Sequence, residues 1–154
     1  MQIVYLVGQI SPKFEETYQW RRNVIENLKE RDDIEIIDPC SNSFNQNILK
    51  ENRYAIDKSG NREFGIDVLP SKDLTYVLRA DIAIVNLNQY DPDKELLGSY
   101  FEMSWLYLHQ EKTVIAFADD LERYNCKHPF VTQTVDTWCK NEDEVCYIIE
   151  RYFC

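Results

Sequence analysis

The chain has 154 residues, about the size of one domain and enough to close a two- or three-layer core. Its 44% hydrophobic, 13% aromatic and 29% charged residues are ordinary values for a folded, soluble domain, and no apolar run approaches the roughly 20 residues a membrane span requires. Twenty-seven acidic against 17 basic residues leave a formal charge of -10. Such a surface repels a polyphosphate, because nucleic-acid affinity rests largely on Lys and Arg neutralising the backbone. A nucleic-acid polymer is therefore excluded as partner, while a single nucleotide-sized ligand stays open.

The opening residues MQIVYLVGQI carry no basic leader and no small-residue cleavage site, so a mature cytoplasmic chain is expected. Cys40, Cys126, Cys139, Cys146 and Cys154 form an odd set without a C-x-x-C pair, and His109 and His128 are the two histidines at hand to complete a metal site. Free thiols and no zinc are expected, and nothing pairs a cysteine with either histidine as a nucleophile.

Residues 3–7 form a short continuous apolar run ended by Gly8, the pattern of a strand buried on both faces and central in a parallel sheet. Over 15–30, Tyr18, Trp20, Val24, Ile25 and Leu28 recur at near-helical spacing among charges, which predicts an amphipathic helix packed on that strand. A second strand at 34–37 stops at Asp38-Pro39. The polar stretch 40–69 predicts an inserted or active-site loop, with a short helix over 47–55. A helix over 72–79 leads into 82–87, again apolar enough for burial on both faces. The aromatic-dense 98–109 predicts a mostly buried helix, 113–118 a fourth strand, 135–138 a weaker fifth, and 142–152 an amphipathic terminal helix. His128-Pro129 reads as a loop turn.

Strands alternating with helices imply right-handed parallel crossovers. The expected fold is a single α/β domain over 1–154, doubly wound and flavodoxin-like, with a five-stranded, mainly parallel sheet of order 2-1-3-4-5 and helices on both faces. In such sheets ligands sit at the carboxyl ends of the strands near the switch in strand order, which directs attention to the residues just after strands one and three.

Three constellations can carry chemistry. The first runs from Tyr5 to Ser11, where strand one turns at a single glycine; with four glycines in the chain and no G-x-G-x-x-G, neither a dinucleotide loop nor a P-loop can be placed, and no cofactor is expected. Gly8 is either a plain strand-to-helix turn or a point where a small ligand approaches the backbone, framed by Tyr5 and Gln9. The second follows Gly98: Ser99 and Glu102 stand at the spacing of a capping box. Alternatively Glu102, in the first turn of a helix, is kept ionised by the dipole and serves as a nucleophile toward an electrophilic carbon. The third is Lys72-Asp73-Leu74 with Asp81. Asp81 can simply hold a loop through backbone hydrogen bonds, yet a second carboxylate near Glu102 would complete the pair that glycosidic-bond cleavage uses.

In order, YLVGQIS, the helix with Trp20-Arg21-Arg22, Asp38-Pro39, KDLTYVLRADIAIVNL, GSYFEMSW, EKTVIAF and HPFV resemble the nucleoside 2-deoxyribosyltransferase family over nearly the whole chain. The matching residues are Tyr5 and Gly8, Asp73, Asp81 with Asn86-Leu87, and Gly98 with Glu102. The resemblance implies that Glu102 attacks C1′ of a 2′-deoxyribonucleoside to give a glycosyl ester, that Asp73 contacts or protonates the departing base, and that Tyr5 positions Glu102 or the sugar. Gly8, Gln9, Asp81, Gly98 and Ser99 would complete the substrate site, with a free nucleobase as second substrate.

Many members have an aspartate two residues before the glycine of G-T-x-x-E. Here Leu96 stands in its place, with Asp93 and Glu95 nearby, and Ser99 replaces the threonine. Related enzymes hydrolyse nucleoside monophosphates through serine-rich and basic phosphate contacts, for which Ser11, Arg21 and Ser99 are candidates. A nucleotide-binding sensor without turnover is the non-enzyme alternative. A homo-oligomer, dimer or larger, is implied by the resemblance, in which neighbouring subunits complete the active sites. It is also expected because the helix at 100–107 and Tyr147, Tyr152 and Phe153 offer more apolar surface than one small domain covers.

Overall fold

The computed structural model describes residues 1–41 and 69–153. Strands β1 Gln2–Gly8, β2 Ile34–Ile37, β3 Ile82–Asn86, β4 Thr113–Phe117 and β5 Thr137–Cys139 form one sheet, in the order β2-β1-β3-β4-β5, with every pairing parallel. The helices are α1 Glu16–Leu28, α2 Leu69–Arg79, α3 Leu97–Leu108, α4 Tyr124–Lys127, α5 Pro129–Thr134 and α6 Glu142–Tyr152, and a 3-10 turn, Pro39–Ser41, follows β2. This is the doubly wound, flavodoxin-like architecture expected from the sequence.

The two central strands lack polar alternation because each face has its own helical layer. Val4, Leu6, Ile82 and Ile84 pack with Trp20, Val24 and Leu28 of α1 and Val145 and Ile149 of α6. On the opposite face Tyr5, Val7, Ala83 and Val85 pack with Val77 of α2 and Met103 and Leu106 of α3. Register aligns the carboxyl ends of three strands, Gly8 pairing with Asn86 and Asn86 with Phe117.

The fifth strand begins two residues later than its apolar pattern suggests. Val135 caps α5, and Asp136 turns the chain, its Oδ2 accepting from Val114 N at 2.8 Å and its own N–H donating to Val114 O at 2.9 Å. Around His128-Pro129, expected as a loop turn, lie α4 and α5. His128-Pro129 starts a helix there, since proline at the first helical position needs no N–H partner and His128 Nδ1 accepts from Phe130 N at 3.4 Å. The helix expected over 47–55 lies outside the described residues.

Candidate active site

Tyr5 stands in the middle of β1 with its ring turned to the α2–α3 face, where it lies 5.8 Å from the ring of Tyr76. Its hydroxyl donates to Oε1 of Glu102, and both side chains are buried. Glu102 is the sixth residue of α3, in its second turn. The capping box therefore does not form: the N-cap is Leu96, without a side-chain bond, and Ser99 is a buried residue inside the first turn. The dipole argument for an ionised Glu102 fails as well, because the effect fades beyond the first turn. Burial instead pushes the Glu102 carboxyl up to about 8; the Tyr5 hydrogen bond opposes this, the negative charge of Asp73 adds to it, and Arg21 and Lys72 oppose it more weakly. The Tyr5 hydroxyl is raised too, by burial first and then by the charges of Glu102 and Asp73.

Asp73 comes from the second turn of α2 and is half-buried. Burial raises its carboxyl to about 6, against the pull of the adjacent Lys72 ammonium, and its Oδ1 is buried without a hydrogen-bond partner among the described residues. Lys72 sits with Nζ 5.5 Å from the centre of the Tyr76 ring, and burial lowers its ammonium. A strand and two helices thus bring Tyr5, Asp73 and Glu102 into one electrostatic unit, with Tyr76 and Lys72 as wall. Cys40, in the 3-10 turn, borders the same field; burial pushes its thiol up to about 12, so it is not a poised thiolate.

The residues just after β1 and β3 are hydrogen-bonded to each other. Gln9 Nε2 donates to Asp91 O at 3.0 Å and Lys94 O at 2.7 Å, and Gln9 Oε1 accepts from Tyr90 N at 2.9 Å and Asp91 N at 2.8 Å. All four hydrogen-bonding positions of that amide serve the loop between β3 and α3. Ser11 Oγ donates to Asp91 Oδ2 at 2.5 Å, and this bond leads the effects that lower the Asp91 carboxyl. Gly8 serves packing: a Cβ there would lie 3.0 Å from Trp20 Cζ2 and 3.2 Å from Asn86 Cβ, so the space is filled by the protein. Arg21 is 1% exposed and donates to the carbonyls of Gln9, Thr17 and Gly8, with Nε 3.3 Å from Asp38 Oδ1. It locks the exit of β1 and is not free for a phosphate.

Asp81 lies at the other end of the sheet. Its Oδ2 accepts from Ile3 N at 2.8 Å, its N–H donates to Ile3 O at 2.8 Å and its carbonyl accepts from Thr113 N at 3.0 Å. It joins the amino ends of β1, β3 and β4, at the opposite end of the sheet from Gly8 and Asn86. Leu96 packs in the core, and Asp93 and Glu95 are exposed, so neither carboxylate replaces the aspartate missing there. Among the described residues nothing lies within 4 Å of a would-be Cβ at Gly98, so none of them requires this glycine.

Sequence reading missed Asp91 and Tyr76. Tyr76 stands three residues after Asp73, a spacing that places both on one helix face and was available as a signal. Asp91 offers none for its bond to Ser11, which is 80 residues away along the chain. Among the described residues no group of three or more His, Cys, Asp or Glu side chains is placed to hold a metal ion, and no helix is long and apolar enough to cross a membrane.

Two solved structures share this fold along almost the whole chain. A conserved protein from Enterococcus faecalis V583 is 16% identical, with a TM-score of 0.59 over 98% of both chains. A 2-desoxiribosyltransferase from Leishmania mexicana is 14% identical, with a TM-score of 0.62 over 99% of both. At these identities the likeness is one of fold. No protein-family model matches the sequence, and no curated protein matches it at a significant level.

Proposed function

We propose that the protein cleaves the N-glycosidic bond of a 2′-deoxyribonucleoside and transfers the deoxyribosyl group to a second nucleobase. The observation that carries this reading is the buried Tyr5–Glu102 hydrogen bond in the field of Asp73, a carboxyl whose Oδ1 has no hydrogen-bond partner among the described residues. Two neighbouring carboxyls raised to about 6 and about 8 share one proton near neutrality, and the form that glycosidic cleavage requires is the one in which Glu102 is ionised and Asp73 carries it.

Ionised Glu102 attacks C1′, forming a C–O ester bond as the C1′–N bond breaks, and the electron pair leaves on the base nitrogen. Asp73, raised to about 6, delivers its proton to that base and later accepts one from the incoming base, which attacks C1′ and expels Glu102 as carboxylate. Tyr5 orients the nucleophile and stabilises its charge as the ester departs. The apolar surroundings of Tyr5 and Tyr76 suit a planar base and limit competing water.

Three commitments support a nucleoside over its 5′-monophosphate: Ser11 is bound to Asp91, Arg21 to backbone carbonyls, and the space beside Gly8 to Trp20. The reading includes a cytoplasmic protein that assembles as a homo-oligomer and needs no cofactor.

Incubation with the four deoxynucleosides and their monophosphates, with and without labelled adenine, tests it by chromatography. Label in a new deoxynucleoside is expected. Accumulation of free deoxyribose without incorporation makes the protein a hydrolase, deoxyribose 5-phosphate makes it a nucleotide hydrolase, and tight binding without base release makes it a sensor.

A further inference from the structure

Helix α2 brings a cation to the site beside the acid. Lys72 and Asp73 stand four and three residues before Tyr76, which sets both of them one turn from it along the same side of the helix. The Lys72 ammonium lies 5.5 Å from the centre of the Tyr76 ring, and that ring lies 5.8 Å from the ring of Tyr5, whose hydroxyl is bound to Glu102. Asp73 adds a buried oxygen without a hydrogen-bond partner among the described residues. Lys72 itself is half-buried. Burial lowers its ammonium, and its negative neighbours, Asp73 foremost, oppose this. Cleavage as described uses Tyr5, Asp73, Tyr76 and Glu102 and leaves this cation without a task.

We propose that Lys72 selects the nucleobase: together with Asp73 it reads two adjacent acceptors on the base edge, so that 6-oxopurines are preferred to 6-aminopurines. The inference rests on the glycosidic reading above. Protonated Asp73 and the Lys72 ammonium are both donors, and they are neighbours on one helix beside the ring of Tyr76. A hypoxanthine or guanine edge presents N7 and O6, two acceptors in a row, whereas adenine presents N7 and an amino group that is itself a donor. The oxopurine accepts from both residues. The adenine amino group meets the ammonium donor against donor, and a site built to hydrogen-bond one group discriminates against an analogue that lacks it.

The same contact discriminates as the bond breaks. The electron pair of the C1′–N9 bond spreads through the departing purine while Asp73 passes its proton to N7, and the charge not yet neutralised falls in part on O6, beside the ammonium. The amino group of adenine accumulates no such charge. Lysine suits the task, because its flexible stem lets the head turn one of three N–H groups toward the base. A preference of about tenfold or more is expected, the scale of one hydrogen bond to a charged group. Adenine remains a slower acceptor, since it differs at that one position.

The test compares deoxyinosine with deoxyadenosine by kcat/KM of the full chain, and hypoxanthine with adenine by titration calorimetry. Wild type should favour the oxo compound in both. The ratio of the two should fall by about tenfold or more in Lys72→Met at unchanged circular dichroism, a comparison in which the intrinsic lability of each glycosidic bond cancels. Lys72→Arg should keep the preference, and Asp73→Asn should slow both nucleosides alike, because N7 is common to them. If Lys72→Met does not fold, the neutral Lys72→Gln gives the same comparison. A ratio that the loss of the ammonium leaves within about twofold of wild type overturns the proposal and leaves the glycosidic reading standing, as does a wild type that favours adenine. Hypoxanthine bound more tightly than adenine, and the difference erased by Lys72→Met, supports the proposal even without turnover, in which case only the transfer reading falls. A protein that neither binds a base nor cleaves a nucleoside overturns both.

Discussion

The acids at the two ends of the sheet are held in opposite ways. At the amino ends, Asp81 and Asp136 each accept a backbone N–H of a neighbouring strand at 2.8 Å, joining β1 to β3 and β4 to β5 from exposed positions. Toward the carboxyl ends, under α2 and α3, Glu102 receives its hydrogen bond from a side chain, and Asp73 keeps a buried oxygen without one among the described residues. Asp91 shows that burial does not by itself make this difference. It is as deeply buried as Glu102, but the Ser11 hydroxyl and the Asp93 N–H donate to it, and its carboxyl is lowered where Glu102's is raised. A carboxylate supplied with donors is committed to structure, and one buried with few donors holds a proton it can exchange.

Glu102→Gln breaks this comparison most severely. It preserves the shape and the Tyr5 contact but removes the nucleophile, and kcat should fall by about 10³-fold or more with unchanged circular dichroism. The same variant reports on stability. Glu102 ordinarily titrates at 4.5 and is raised to about 8 by folding, so the folded state holds the extra proton between these values. Its contribution is fully present below pH 4.5 and is lost as pH rises through 8. Wild type should therefore melt at progressively lower temperature from pH 5 to 9, and Glu102→Gln should melt above it at pH 8.5. Near-normal turnover in the folded variant would remove Glu102 from the chemistry.

Asp73→Asn comes next, with an expected loss of about 10²-fold, the scale of a general acid. Wild-type kcat/KM should be bell-shaped, with limbs near 6 and 8 that belong to the Asp73–Glu102 pair and not to either residue alone. Below the bell Glu102 is protonated, and above it Asp73 has no proton to give. Asp73→Asn should abolish the alkaline limb while keeping the acid one. Tyr5→Phe should cost about tenfold, as the loss of one hydrogen bond to a charged group. It should also move the upper limb upward, because the Tyr5 bond lowers the Glu102 carboxyl, the higher of the two.

How far the sequence reaches can be judged from particular residues. The unbroken apolar runs of β1 and β3 revealed their burial and hence the strand order, since a strand covered on both faces has no reason to alternate. Glu102 and Asp73 stood out through their motif order. The intramolecular partners of Gln9, Gly8 and Asp81 could not be read from the sequence, because a side chain's partners are a long-range property: the Gln9 amide is satisfied by a loop more than 80 residues away. The state of Glu102 was misread because the start of α3 falls at Leu97, which places the acid one turn deeper than the capping pattern suggested. A shift of three residues in a helix start, from an N-cap at Ser99 to one at Leu96, exchanges a dipole-held carboxylate for a buried acid.

The smallest effect tests the other half of the comparison. Asp81→Ala removes one hydrogen bond to Ile3 N at the exposed amino edge of the sheet. Its cost should be about 1 kcal/mol, which for a chain of this size lowers Tm by about 2–4 °C. kcat/KM should stay within about twofold, because Asp81 adjoins Ile3 and Thr113, at the opposite end of the sheet from Gly8 and Asn86. The change distinguishes the two roles that one aspartate in this motif can have. A stapling residue lowers Tm and leaves the pH profile in place, whereas a substrate ligand raises KM and leaves Tm in place. Thermal melting and steady-state kinetics on one preparation therefore decide it. A hundredfold rise in KM at wild-type Tm would return Asp81 to the substrate site and end the division between the two ends of the sheet.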